Sequence, residues 1–151
     1  MSASQSLKDF LKQKKEREEA PGVDWEARKQ ERITAIGALF DDIERWLKPS
    51  IDEGIVSPSR ERHPLFDSYM GAYESELLTL QIGHVGIQFI PVGERVAGAS
   101  ARVDAISGPH KLTMIYLPTQ GWKILVRGPV TQTVPVTEDS FADALKELLQ
   151  E

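Results

Sequence analysis

Arg102 and Asp104 stand two residues apart in the segment 99–106, a spacing that projects both from one face of a β-strand. If Ser107-Gly108-Pro109-His110 closes a four-residue hairpin loop, Lys111 opposes Ile106, Thr113 opposes Asp104 and Ile115 opposes Arg102. Arg102, Asp104, Lys111 and Thr113 then form one polar stripe across two strands. Its chemistry would be recognition of an anion or carboxylate, with the Arg102 guanidinium as a forked donor. The same residues could instead make a cross-strand ion pair on a wet sheet face, worth ~0–1 kcal/mol when exposed.

Acid–base chemistry would need a carboxylate, an imidazole and a cation that converge. Glu76, His84 and Arg102 are one such set, suited to phosphodiester cleavage by proton transfer and charge neutralisation. Glu74 and Glu76, with Tyr69 and Tyr73 close by in sequence, are a second carboxylate group. Spacing along the chain selects neither set over other polar residues. His63, His84 and His110 each fall in an expected loop or turn, and none has a partner at the helical metal-site spacing. Two histidines would still need a carboxylate to reach three ligands, so no metal is expected. No G-x-S-x-G elbow and no glycine-rich phosphate motif occurs, so no cofactor is expected, and nothing in the sequence names a small-molecule ligand. The chain contains no cysteine, which removes thiolate nucleophiles, disulfides and Cys-type zinc sites and fits a reducing cytoplasm.

The elements that must carry these side chains are written in the hydrophobic pattern. Leu78, Leu80 and Ile82 alternate with polar or outward positions, Gly83-His84 interrupts, and Val85, Ile87 and Phe89 resume. A two-residue turn led by glycine suits type II′ geometry and pairs Ile82 with Val85, Leu80 with Ile87 and Leu78 with Phe89. Strands are expected at 77–82, 85–92, 99–106, 111–117, 122–127 and 130–136. Gly93-Glu94-Arg95 with Gly98 predicts a bend or bulge, and Pro118-Thr119-Gln120-Gly121 a four-residue loop. Gly128-Pro129 breaks the ladder, so the last strand is expected to lie at an edge or to switch direction. Connections this short make neighbours antiparallel. Trp122 is expected in the core with Ile124 and Val126.

A helix is expected over 24–47. Asp24 serves as its N-cap, Trp25, Ile33, Ile36, Phe40, Ile43 and Leu47 line its apolar face, and Pro49 stops it. A second covers 138–150, with Thr137 as N-cap, Val136 and Phe141 as a hydrophobic staple, and Phe141, Leu145 and Leu148 facing inward. Residues 49–68, punctuated by Pro49, Gly54, Pro58 and Pro64, read as an irregular connector. Residues 1–22 read as a flexible or frayed N-terminal arm, with helical propensity from Leu7 to Glu19, and residues 23–151 as a single domain. The predicted fold is α+β: an antiparallel meander sheet of about five or six strands, packed against an N-terminal and a C-terminal helix.

A net charge of -5 and a pI of about 5.3 argue against a nucleic-acid binder, because phosphate binding needs a basic surface. The Lys-rich half of the arm keeps a weak nucleic-acid contact as an alternative. No segment has the ~20 apolar residues of a membrane span, nor is there a signal core, so the protein is read as cytoplasmic. In size and charge the chain resembles small acidic bacterial α+β proteins that act by binding, such as immunity proteins and secretion chaperones. That likeness carries over no residue. With no cofactor motif, metal cluster or recognised nucleophile, the functional expectation is a non-catalytic interaction module that presents a sheet face or an exposed edge to a protein partner or to a second copy, and the alternative is a small hydrolytic enzyme using Glu, His and Arg on the sheet.

Overall fold

Gly83 closes the central hairpin. Its φ of +60°, with no positive φ at His84, is the backbone of a type II′ turn. Ile82 pairs with Val85, Leu80 with Ile87 and Leu78 with Phe89, as the alternation predicts. The computed structural model describes residues 3–18, 24–68, 70–93, 99–126, 129–130 and 132–150. The bend or bulge expected around Glu94, Arg95 and Gly98, the break at Gly128, Tyr69, and residues 1–2 and 19–22 of the arm lie outside them.

The hairpin belongs to a seven-stranded antiparallel meander in sequential order: β1 (Ser57–Asp67), β2 (Gly71–Ile82), β3 (Val85–Val92), β4 (Ala101–Ser107), β5 (His110–Leu117), β6 (Gly121–Val126) and β7 (Gln132–Pro135). The helices are α1 (Ala3–Glu18), α2 (Trp25–Trp46), α3 (Lys48–Asp52) and α4 (Glu138–Leu148). The α+β meander is thus as expected, with one strand more. That strand comes from residues 49–68, which form α3 and β1 rather than an irregular connector. Pro49 falls in the first turn of α3, where its missing N–H is not needed. Pro58 and Pro64 lie six residues apart in β1, so both missing donors fall on the same edge of that strand, and an outermost strand can leave one edge unpaired. His63, expected in a loop, is therefore on β1 opposite Ser75.

Two turns are tighter than expected. Ser107 pairs with His110, leaving Gly108-Pro109 as a two-residue loop, and Leu117 pairs with Gly121 across three residues. The register at the polar stripe is nevertheless the predicted one, with Ile106 opposite Lys111, Asp104 opposite Thr113 and Arg102 opposite Ile115.

One face of the sheet is the core face. Leu78, Leu80, Ile87, Phe89, Val103 and Met114 are wholly buried there against Ile36, Leu39, Phe40 and Ile43 of α2. Asp24 caps α2 by accepting from Ala27 N at 2.9 Å. Helix α4 lies beside α2 on this face: the Phe141 ring sits 5.5 Å from Trp46 and 6.2 Å from Phe89. Its start is a capping box, in which Thr137 Oγ1 accepts from Ser140 N at 3.1 Å and Ser140 Oγ accepts from Thr137 N at 2.8 Å. Trp122 is half-buried and donates from Nε1 to Ala35 O at 3.0 Å, tying β6 to α2, while Val126 is exposed rather than in the core.

The β1–β2 ribbon twists strongly. Leu78 and Leu80, even-numbered, are buried near its base, whereas Tyr73 and Ser75, odd-numbered, are buried towards its tip. The register runs unbroken from Ser57–Gln81 to Asp67–Gly71. No slip occurs. A two-stranded ribbon simply twists more than a sheet interior, so its opposite face turns inward along its length.

Candidate functional site

The meander brings the four stripe residues together on the sheet face opposite the core helices. Arg102 Nε and Nη2 donate to Asp104 Oδ1 and Oδ2, each at 3.0 Å. Thr113 Oγ1 donates to Asp104 Oδ1 at 3.0 Å, and Lys111 Nζ stands 3.6 Å from Asp104 Oδ2. The Asp104 side chain is only 10% exposed, against 25% for Arg102 and 45% for Lys111. Two parallel N–H···O bonds make this the strong bidentate form of the pair. The fork that could grip an outside anion closes on the chain's own carboxylate, and the Lys111 ammonium is the most open charge of the cluster.

A second polar cluster has no counterpart in the sequence reading. Arg32, 4% exposed, projects from α2 into the far end of the molecule. Its Nε donates to Ser100 O at 2.6 Å. Its Nη1 lies 3.0 Å from Tyr73 Oη and 3.4 Å from both Asp67 Oδ2 and Gly93 O. One side chain thus joins α2, β1, β2 and the ends of the β3–β4 connection. The available signal was an arginine at position 32, four residues before Ile36 and so on the apolar stripe. A charge there marks a buried partner rather than a solvated helix face. Asp67 also accepts from Met70 N at 3.1 Å within the β1–β2 turn.

A third cluster explains Glu76. Arg60 on β1 donates to Asp41 at 2.7 Å, Glu44 at 3.0 Å and Glu76 at 3.3 Å, and lies over the Phe40 ring. Burial works against its charge, but hydrogen bonds to Glu44 and Asp41 outweigh it and hold the guanidinium above its ordinary range. Glu76 is therefore engaged beside α2, whereas Arg102 lies on the opposite sheet face. His84 caps the β2–β3 turn. Val92, the partner of Arg102, is seven residues along β3 from Val85, so about 23 Å separates the turn from Arg102. The sheet does not assemble Glu76, His84 and Arg102. Nor do Glu74 and Tyr73 converge, since they are adjacent on β2 and point to opposite faces. His84 and His110 do share one end of the sheet, around a hollow closed by Leu148 and Leu149. Among the described residues no three potential ligands group to hold a metal.

Among the described residues, open apolar surface is found on α1 and beside α4, and also at Ile55, Phe66, Val85 and Val130. Leu7, Phe10 and Leu11 of α1, spaced three and four apart, are 58%, 59% and 55% exposed. Every described side chain of this helix, from Gln5 to Lys15, is exposed. The surface beside α4 is a cleft of about 440 Å³ between this helix and the ends of β5 and β6. Strands β5 and β6 pair only from Met114–Ile124 to Leu117–Gly121, while β6 stays paired to β7 as far as Val126. Residues 111–113 and 125–126 therefore diverge, and α4 spans the gap. Leu112, Val126, Val134 and Ala144 line it, and the charged residues at its wall are Lys111 of β5 and Asp143 and Glu147 of α4. Val126 and Val134 are 44% and 38% exposed.

Comparison with protein-family models, curated proteins and solved structures finds no match to this chain. No helix among the described residues is long and apolar enough to cross a membrane.

Proposed function

We propose that this protein is a non-catalytic interaction module that engages a protein partner through α1. The observation that carries the reading is the exposure of Leu7, Phe10 and Leu11, three large apolar side chains at helical spacing on a helix whose described side chains, from Gln5 to Lys15, are all exposed. Such a face in water is an amphipathic helix awaiting a groove, and the i, i+3, i+4 anchors are those by which helices dock. Charge supports the same assignment. Residues 3–18 hold five cations (Lys8, Lys12, Lys14, Lys15 and Arg17) against three anions (Asp9, Glu16 and Glu18), on a chain of net charge -5. A basic amphipathic helix on an acidic body suits an acidic protein surface. The cysteine-free composition fits a cytoplasmic setting.

Leu7→Glu/Phe10→Glu tests this. Proteins retained by the full chain from an extract of the cells that make it should be lost with the variant, while circular dichroism of the body is unchanged. Retention of the same proteins by both forms sinks the proposal, as does retention of none together with an unchanged solution mass.

A further inference from the structure

Resting on that reading, we infer that the partner of α1 is a second copy of this chain: α1 of each copy lies in the α4–β5–β6 cleft of the other. Three observations point to it. The first is the pair of apolar surfaces open in one and the same structure, the Leu7, Phe10 and Leu11 stripe and the cleft lined by Leu112, Val126, Val134 and Ala144. The second is charge. Lys8, Lys12 and Lys15 flank the apolar stripe at spacings of four and three, and all are exposed. Asp139, Asp143 and Glu147 run along α4 at spacings of four, also exposed. Lys8 to Lys12 rises about 6 Å along its helix, as does each step of the α4 row, whereas Lys12 to Lys15 rises about 4.5 Å, so the two rows match over one step. The third is that both rows are unspent: no described residue pairs with Lys8, Lys12, Lys15, Asp139, Asp143 or Glu147. Other described charges, such as Glu53, Glu61 and Lys146, are unpaired too, so it is the opposite sign of the two rows that points to a mate. Reciprocal exchange fills both clefts, covers both stripes and closes a twofold dimer in which each surface is used once per copy.

The absence of cysteine allows a direct test. Chains carrying Leu7→Cys and chains carrying Val126→Cys are mixed and oxidised gently. A disulfide-linked heterodimer is expected, at twice the 16.9 kDa of one chain. If no heterodimer forms, or if a doubly substituted chain cross-links only within itself, the second copy is not the occupant. Light scattering on the unmodified chain should give the dimer mass. Asp143→Lys/Glu147→Lys should raise the dimer dissociation constant at least about tenfold, and adding Lys8→Glu/Lys12→Glu to the same chain should restore it. Failure of that restoration overturns the charge register. A chain that stays monomeric while Leu7→Glu/Phe10→Glu still loses an extract partner refutes the exchange but leaves the interaction reading standing. If neither mass nor partners change, both fall.

Discussion

Replacing Asp104 by Asn keeps its shape and removes its charge, which makes it the sharpest probe of the cluster on the sheet face away from the helices. The carboxylate accepts three hydrogen bonds of 3.0 Å, two from Arg102 and one from Thr113. An amide can accept at only one of its two positions, so one Arg102 N–H would meet an NH₂ group. Hydrogen bonds to charged groups contribute about 1.5–3 kcal/mol each, but Arg102 and Lys111 are open enough for water to replace part of what they lose. The expected loss for Asp104→Asn is therefore about 2–3 kcal/mol, or ~4–10 °C in Tm for a chain of this size. Arg102→Met should cost about 1–2 kcal/mol, since Thr113 and Lys111 still face the carboxylate. The double variant should cost clearly less than the sum, with a coupling of ~1–2 kcal/mol read from urea denaturation of the four proteins. Additivity within about 0.5 kcal/mol would refute the clip and return Arg102 to the role of a donor awaiting an outside anion.

Arg32→Met should be the most damaging single change away from the apolar core, at about 3–5 kcal/mol, because it withdraws a buried cation from Asp67, Tyr73 and two carbonyls; a loss under about 1 kcal/mol by chemical denaturation contradicts that buried network. Gly93→Ala should destabilise by about 1–3 kcal/mol, since a Cβ there would overlap the Phe66 carbonyl and backbone must shift to relieve it; an unchanged Tm would place Phe66 elsewhere. Thr137→Ala should cost about 1 kcal/mol and speed amide exchange in the first turn of α4, where the capping box is lost. Arg60→Gln should cost the same at pH 7 and pH 9. A folded-state pKa raised above the unfolded value contributes stability that is fully present below the unfolded one, and both conditions lie below it. A loss that shrinks between those two pH values would assign the effect to another group.

Features that rest on near neighbours along the chain were legible before the fold was known. Period-two alternation around Gly83 specified the β2–β3 pairing, because slipping one residue would turn every buried side chain to water. The turn signal at residues 107–110 likewise placed Thr113 opposite Asp104 and Ile115 opposite Arg102. Asp24 and Thr137 announced the helix starts because capping is a contact over three residues. Strand β1 was hidden because its prolines are the usual mark of a loop, and only its place at the sheet edge makes them harmless. The Arg32 network was equally out of reach. Its partners at 67, 73, 93 and 100 are scattered along the chain, and what makes the arginine tolerable, acceptors gathered around a desolvated guanidinium, exists only once α2 and the twisted β1–β2 ribbon meet. The cleft beside α4 has the same origin, since where two strands part company depends on how far the sheet twists before a helix crosses it.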